Sequence, residues 1–254
     1  MRDNWPEKCH HGRAEGRVIS MIPEQISMPL YSLTEAACIV GIPTATLRSW
    51  ARGRDFPISA GDTGHSDPLV TDDGQGRRGF PTMPFVGLAE AAFLAAVRST
   101  GVPMQRIRPA LERLRDEIGL EHALASKRLF TDGAELLYRV GSDAGATERE
   151  MELVVVRTNQ GVFTPVVRNY LQHVRFGASG YAETIRLPKY GEAEVIVDPR
   201  FGFGQPVLER NGVRVETILE RFAAGDSIHD LSDDFSTPPE IIEQLLRASR
   251  PIAA

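Results

Sequence analysis

The stretch YSLTEAACIVGIPTATLRSWARGR, Tyr31 to Arg54, carries the pattern on which the fold turns. Ser32 or Thr34 can cap a first helix, with Glu35 placed to favour its N-terminus. Ala36, Ala37, Ile39 and Val40 give that helix an apolar face. Gly41 then supplies the positive backbone angle of a tight helix exit, Pro43 sits in the turn, and Thr44 can cap a second helix through Arg52. Counted from Gly41, Ala37 lies four residues before, Ile42 one after, Leu47 six after and Trp50 nine after. A helix-turn-helix places a small contact residue, a turn hydrophobe and two core anchors at this spacing. Thr44, Thr46, Arg48, Ser49 and Arg52 are left on the outward face of the second helix. Short hydroxyls and guanidinium groups of this kind suit phosphates and base edges, which makes these five residues candidate DNA contacts.

A second stretch with the same outline lies at the other end: SIHDLSDDFSTPPEIIEQLLRASR, Ser227 to Arg250, preceded by the helical VETILERFAAG. Ser227 with Asp230 resembles one capping box and Thr237 with Glu240 another, the following prolines fitting a first turn. Ser232 takes the small-residue position, and Ile242 and Leu245 the anchors. Here the outward face carries Glu240, Glu243 and Gln244, with Asp233 and Asp234 just before them. Carboxylates repel phosphates at close range, so this unit is expected to bind protein or dimerise, not to read DNA.

Between the two units the composition shifts. From Arg54 to Pro84 it is rich in Gly, Asp and Pro, and TDDGQGRRGF reads as a tight turn where a wing would be. Arg77 and Arg78 at its tip are candidate DNA contacts, opposed by Asp72 and Asp73 beside them; a DNA-touching wing and a solvated loop stay equally open. PFVGLAEAAFLAAVRSTG and PMQRIRPALERLRDEIG make two amphipathic helices, with Phe85, Leu88, Ala92, Leu94 and Val97 as core candidates. Glu90 is a lone carboxylate in that apolar run and needs a partner if buried; an ion pair with Arg106 or Arg108 is expected. KRLFTDGAELLYRV reads as a hairpin turning at Asp132-Gly133, with a further strand near Leu153 to Arg157. A short helix follows around Val167 to His173, and Ala178 to Val215 is strand-like with tight turns, Asn211-Gly212 among them.

The expected fold is therefore α+β, mainly α with small β elements. An irregular leader spans 1–30, a winged helix-turn-helix 31–125, a β-containing connector 126–203 and a C-terminal helix-turn-helix 204–254. At 254 residues and 42 % hydrophobic content the chain can bury a core. A net charge of −5 excludes a polycation that coats nucleic acid or membrane, so DNA binding must come from a local patch. Two cysteines, no signal peptide and no membrane-spanning apolar run point to the cytoplasm, with no membrane partner. Cys9, His10 and His11 are of metal-ligand type, but adjacent ligands without a second pair read as a tail, and no metal or cofactor is expected. The chain lacks a phosphate loop, paired Cys motifs, GxSxG, HExxH and a dinucleotide fingerprint, so no enzyme is expected and no catalytic residues are assigned.

Four stretches together resemble a known family: YSLTEAACIVGIPTATLRSWARG, PFVGLAEAAFLAAVRSTGVPMQRIRPALERL, RLFTDG, and DPRFGFGQPVLERNGVRVETILERFAAGDSIHDLSDDFSTPPEIIEQLLRA. They resemble the larger VapB-type antitoxins of bacterial toxin–antitoxin operons, which join a MerR-like winged helix-turn-helix to a C-terminal domain-of-unknown-function helix-turn-helix. The resemblance covers about two thirds of the chain and is most specific in the FGQPV and NGVRVETI segments. It implies a dimeric repressor of its own operon that also neutralises a PIN-domain ribonuclease toxin, so operator DNA and that toxin are the expected partners. Antitoxins of this type often reach a basic side chain into the toxin's acidic metal site, and Arg247 and Arg250 are candidates by charge. A MerR-like regulator without a toxin is the alternative. A few arginine contacts per protomer bind DNA firmly only when doubled, so a homodimer through the C-terminal region is expected.

Overall fold

The computed structural model describes residues 22–59, 62–74, 80–99, 104, 108, 111–112, 122–131, 170 and 172–249. The folded chain starts before the expected end of the leader: α1 (Glu24–Ser27) buries Ile26, and β1 (Pro29–Tyr31) pairs antiparallel with β4 (Met83–Pro84). Between these strands run α2 (Leu33–Val40), α3 (Thr44–Arg52) and a hairpin of β2 (Arg54–Ser59) and β3 (Asp62–Ser66). β4 leads directly into α4 (Phe85–Arg98).

The α2 start follows the expected chemistry. Ser32 accepts from the Glu35 amide and Glu35 accepts from the Ser32 amide, a complete capping box. Gly41 ends the helix at φ 78°, and the amides of Gly41 and Ile42 both return to the Ala37 carbonyl, which closes the turn tightly. Because the turn ends so sharply, α3 begins one residue earlier than a Thr44 cap requires. Pro43 is the N-cap, its carbonyl accepts from Thr46 and Leu47, and Thr44 is the first helical residue with no capping bond. Leu47 and Trp50 are the buried anchors of α3; burying each stabilises the unit by roughly 2 kcal/mol.

α4 is the central helix, buried nearly all round from Phe85 to Leu94, while Ala92 and Val97 are only partly covered. It packs closely because residue 87 is glycine: a Cβ there would lie 2.1 Å from the Thr71 carbonyl oxygen. Met104, Arg108, Leu111 and Glu112 have helical backbone, as expected for the following helix. After a 3₁₀ turn (Ala123–Ala125), the segment from Lys127 expected to open a hairpin is instead a single helical turn, α5 (Arg128–Thr131). Here Ser126 accepts from the Leu129 amide and bridges to Tyr181, and that local bond favours a helical turn over an extended strand. Asp132-Gly133 and the strand near Leu153 to Arg157 lie outside the described residues. Of the helix expected over Val167 to His173, Tyr170, Gln172 and His173 are described, the first two helical and His173 in a turn.

The strand-like strip forms one antiparallel sheet in the order β5 (Val174–Phe176), β6 (Ala182–Arg186), β7 (Val195–Val197) and β8 (Val207–Leu208). The boundary expected near residue 203 falls between two paired strands of this sheet. Three helices follow: α6 (Val215–Ala223), α7 (Ile228–Asp234) and α8 (Pro239–Ala248). Ser227 and Asp230 form the expected capping box on α7. Thr237 does not cap α8, because its hydroxyl donates to the Phe235 carbonyl and accepts from the Asn211 side chain; Pro238 is the N-cap. Ile242 and Leu245 are fully buried anchors.

One continuous core joins the two ends of the chain. The buried Tyr31 hydroxyl donates to the Gly204 carbonyl at 2.8 Å, and the Tyr170 hydroxyl donates to the Ala89 carbonyl at 3.0 Å. The architecture is thus α+β, mainly α, with helical units at both ends and small antiparallel sheets between them.

Candidate nucleic-acid and partner interfaces

Burial of Leu47 and Trp50 fixes the rotation of α3 and turns Arg48 outward. Arg48 is exposed and has no carboxylate partner among the described residues. Thr44, Thr46 and Ser49 are half-buried on the same helix. Thr46 accepts a 3.3 Å hydrogen bond from Arg98 of α4, which brings a further guanidinium to this surface. Arg98 lies 52 residues away in sequence, and no spacing rule could have assigned it here.

Arg52 is differently placed. Its Nε lies 3.5 Å from Asp72, whose side chain is wholly buried. The hairpin β2–β3 directly follows α3, where a winged helix-turn-helix carries its wing, so this hairpin precedes the loop expected to serve as one. Asp55 and His65 face each other across it at 2.7 Å, and Phe56 is partly exposed. Arg77 and Arg78 lie outside the described residues.

Glu90 is buried, and among the described residues its partners are the Thr71 amide and His122 in place of Arg108. One carboxylate oxygen accepts from the Thr71 amide at 2.6 Å and the other lies 3.4 Å from His122 Nδ1, which also contacts the Thr71 hydroxyl at 2.7 Å. Arg108 donates instead to the Asp67 carbonyl, and Arg106 lies outside the described residues. A carboxylate held by an amide and an imidazole fixes the 69–73 segment against α4, a structural task. Burial, then the Glu90 charge, pushes the Tyr170 phenol well above its ordinary range, so it stays a neutral donor.

The C-terminal unit presents a different surface. Gln244 of α8 lies against the turn at Pro188–Ala193, close enough that a Cβ at Gly191 would be 2.4 Å from its Nε2. Part of the helix face that reads bases in a helix-turn-helix is thus covered by the chain itself. Asp233 and Glu240 are exposed, and Asp234 pairs with Arg221 at 2.7 Å. On the other side an open apolar groove of about 480 Å³ runs between Leu219, Phe222, Ile228 and Leu246. Glu243 and Arg247 stand on its edge and pair at 2.5 Å. Arg250 lies outside the described residues, as do Cys9, His10 and His11. Among the described residues no three His, Cys, Asp or Glu side chains cluster to hold a metal ion, and no helix is long and apolar enough to cross a membrane.

Residues 29–111, which hold α2, α3 and α4, match the family described as "Putative DNA-binding HTH domain". Residues 195–247, from β7 to α8, match "Protein of unknown function (DUF433)". The chain is 40 % identical over 228 residues to "Putative antitoxin VapB45" of Mycobacterium tuberculosis strain ATCC 25618 / H37Rv, covering 88 % of this chain and 95 % of that protein. It is similar to the crystal structure of Rv2018 from Mycobacterium tuberculosis at a TM-score of 0.73 and 39 % identity, covering 87 % of this chain and 99 % of the other. These family names are those of DNA-binding and antitoxin proteins, not of enzymes. A chain with this extent of identity, and with a helix-turn-helix at each end joined through one core, belongs to the family of the "Putative antitoxin VapB45".

Proposed function

We propose that this chain is an antitoxin that represses its own operon through α3 and neutralises a cognate PIN-domain ribonuclease toxin, working in the cytoplasm as a homodimer. The observation that carries the DNA half of this reading is the face of α3: Arg48 open to solvent, Thr44, Thr46 and Ser49 around it, and Arg98 delivered beside Thr46. The hairpin Arg54–Ser66 serves as the wing. Arg48 and Arg98 supply the local positive charge that a molecule of net charge −5 otherwise lacks.

The C-terminal unit is the protein-binding half. Its carboxylates disfavour DNA, and its open groove supports assembly. Glu243 and Arg247 lie one turn apart on α8, so two antiparallel copies of this edge offer each acid to the other's base, as a two-fold dimer requires. Membership of an antitoxin family supports the toxin partner.

The test is twofold. Arg48→Ala should weaken binding to the DNA upstream of the gene by roughly 10-fold and flatten its salt dependence by about one phosphate per protomer. Unchanged affinity would remove α3 as the reader. Growth arrest by a neighbouring PIN-domain gene should be relieved by co-expression of this chain, and persistent arrest would count against the antitoxin role.

A further inference from the structure

We propose that Asp72 is a built-in competitor of the DNA phosphates: it holds Arg52 and so limits how strongly the α3 surface is drawn to any duplex. This rests on the DNA-binding reading of α3 and adds to it a residue that works against binding. Arg48 and Arg52 lie one turn apart on α3, but only Arg52 has a carboxylate beside it among the described residues. The Asp72 side chain has 0 % exposure, and neither of its oxygens accepts a hydrogen bond from the described residues. Buried carboxylates are ordinarily satisfied by several donors, so among the described residues the guanidinium at 3.5 Å is its compensation.

Asp72 cannot follow Arg52 outward, because the backbone on either side of it is fixed. The Leu69 and Val70 amides donate to the Trp50 carbonyl at 2.6 and 3.2 Å, and the Asp73 amide donates to the Thr82 carbonyl at 3.0 Å. The Thr71 amide donates to Glu90, and the Thr71 carbonyl sits beneath Gly87. Arg52 is by contrast half-exposed on a flexible stem. When it swings to a phosphate it leaves a buried charge without compensation, which opposes the move. Arg48 makes its contact unopposed, whereas Arg52 contributes only when a phosphate is placed well enough to displace Asp72.

The experiment measures fluorescence anisotropy of a random-sequence duplex of about 30 bp between about 50 and 200 mM salt, a range over which phosphate contacts dominate the change in affinity. Asp72→Asn should tighten binding about fivefold and steepen the log–log salt slope by about 0.9 per bound protomer. Asp72→Ala should do the same, which guards against an effect peculiar to one replacement. In an Arg52→Ala background Asp72→Asn should change nothing, and Asp73→Asn, an equal charge change next door, should give a much smaller gain. An unchanged affinity for both Asp72 variants overturns the inference. So does an equal gain with or without Arg52, which would be general charge removal. Wild-type protein that binds no duplex at the lowest salt overturns the DNA reading of α3, and this inference with it.

Discussion

Replacing Tyr31 by Phe removes one oxygen atom and tests whether the two ends of the chain fold as one unit. The Tyr31 side chain is fully buried, and its hydroxyl donates at 2.8 Å to the carbonyl of Gly204, 173 residues away. Contact there is tight, since a Cβ on Gly204 would lie 2.5 Å from the hydroxyl oxygen. Burial, with the charges of Asp198 and Glu35 behind it, pushes the phenol far above its ordinary range and keeps it a neutral donor. Removing one partner of a buried pair costs roughly 1–3 kcal/mol, because the acceptor stays desolvated. Taking about 1.5 kcal/mol, a protein of this size should lose roughly 3–6 °C in Tm. Calorimetry and urea unfolding of wild type and Tyr31→Phe are the assays, with one transition in both and an unchanged m-value. A shift below about 1 °C, or separate transitions for the two ends of the wild-type chain, would refute the joint core.

Further substitutions test the carboxylate at Asp198 and the glycines at 41 and 87. Asp198 is nearly buried, which on its own would raise its carboxyl pKa; the Arg200 side-chain bonds at 2.7 and 2.9 Å, then the Arg200 amide and the Thr184 hydroxyl, outweigh this and hold it below the ordinary range. A depressed folded-state pKa stabilises the protein above the unfolded value, near 3.9, and that stabilisation is lost as pH falls through the folded value. The deficit of Asp198→Asn in urea should therefore be full at pH 7 and should shrink below about pH 4, whereas a constant deficit would disprove the assignment. Gly41→Ala should cost about 1 kcal/mol, since at φ 78° the added methyl meets no atom and only the backbone is strained. Gly87→Ala should cost more than about 3 kcal/mol, because its methyl would meet the Thr71 oxygen at 2.1 Å, and equal melting shifts for the two would contradict the close packing of α4.

What the sequence made legible was short-range. The spacing around Gly41 places Ala37, Leu47 and Trp50 correctly, and the spacing around Ser227 places Ile242 and Leu245 in the core, because a helix-turn-helix is specified within about twenty residues. What it hid was decided by distant partners. Glu90 has two arginines a few turns ahead in sequence, yet it meets His122 and the Thr71 amide, which the path of the chain brings to it. Asp72 reads as a charge that repels phosphate from a loop tip, whereas it is buried under Arg52 and acts on that side chain. Thr237 has the spacing of a cap, but Asn211, on a turn 26 residues earlier, reaches its hydroxyl. The hairpin of β2 and β3 lacks the Asn-Gly or Asp-Gly signal that marks tight turns, and the later segment with more glycine carries the stronger turn signal.

The antitoxin role is tested by mixing the purified full-length chain with the protein encoded by the adjacent gene and following both co-elution and ribonuclease activity on a labelled RNA. A stable complex is expected, in which cleavage is suppressed and binding to the upstream DNA through α3 is retained. Full ribonuclease activity in the presence of excess chain, with no co-elution, would contradict it.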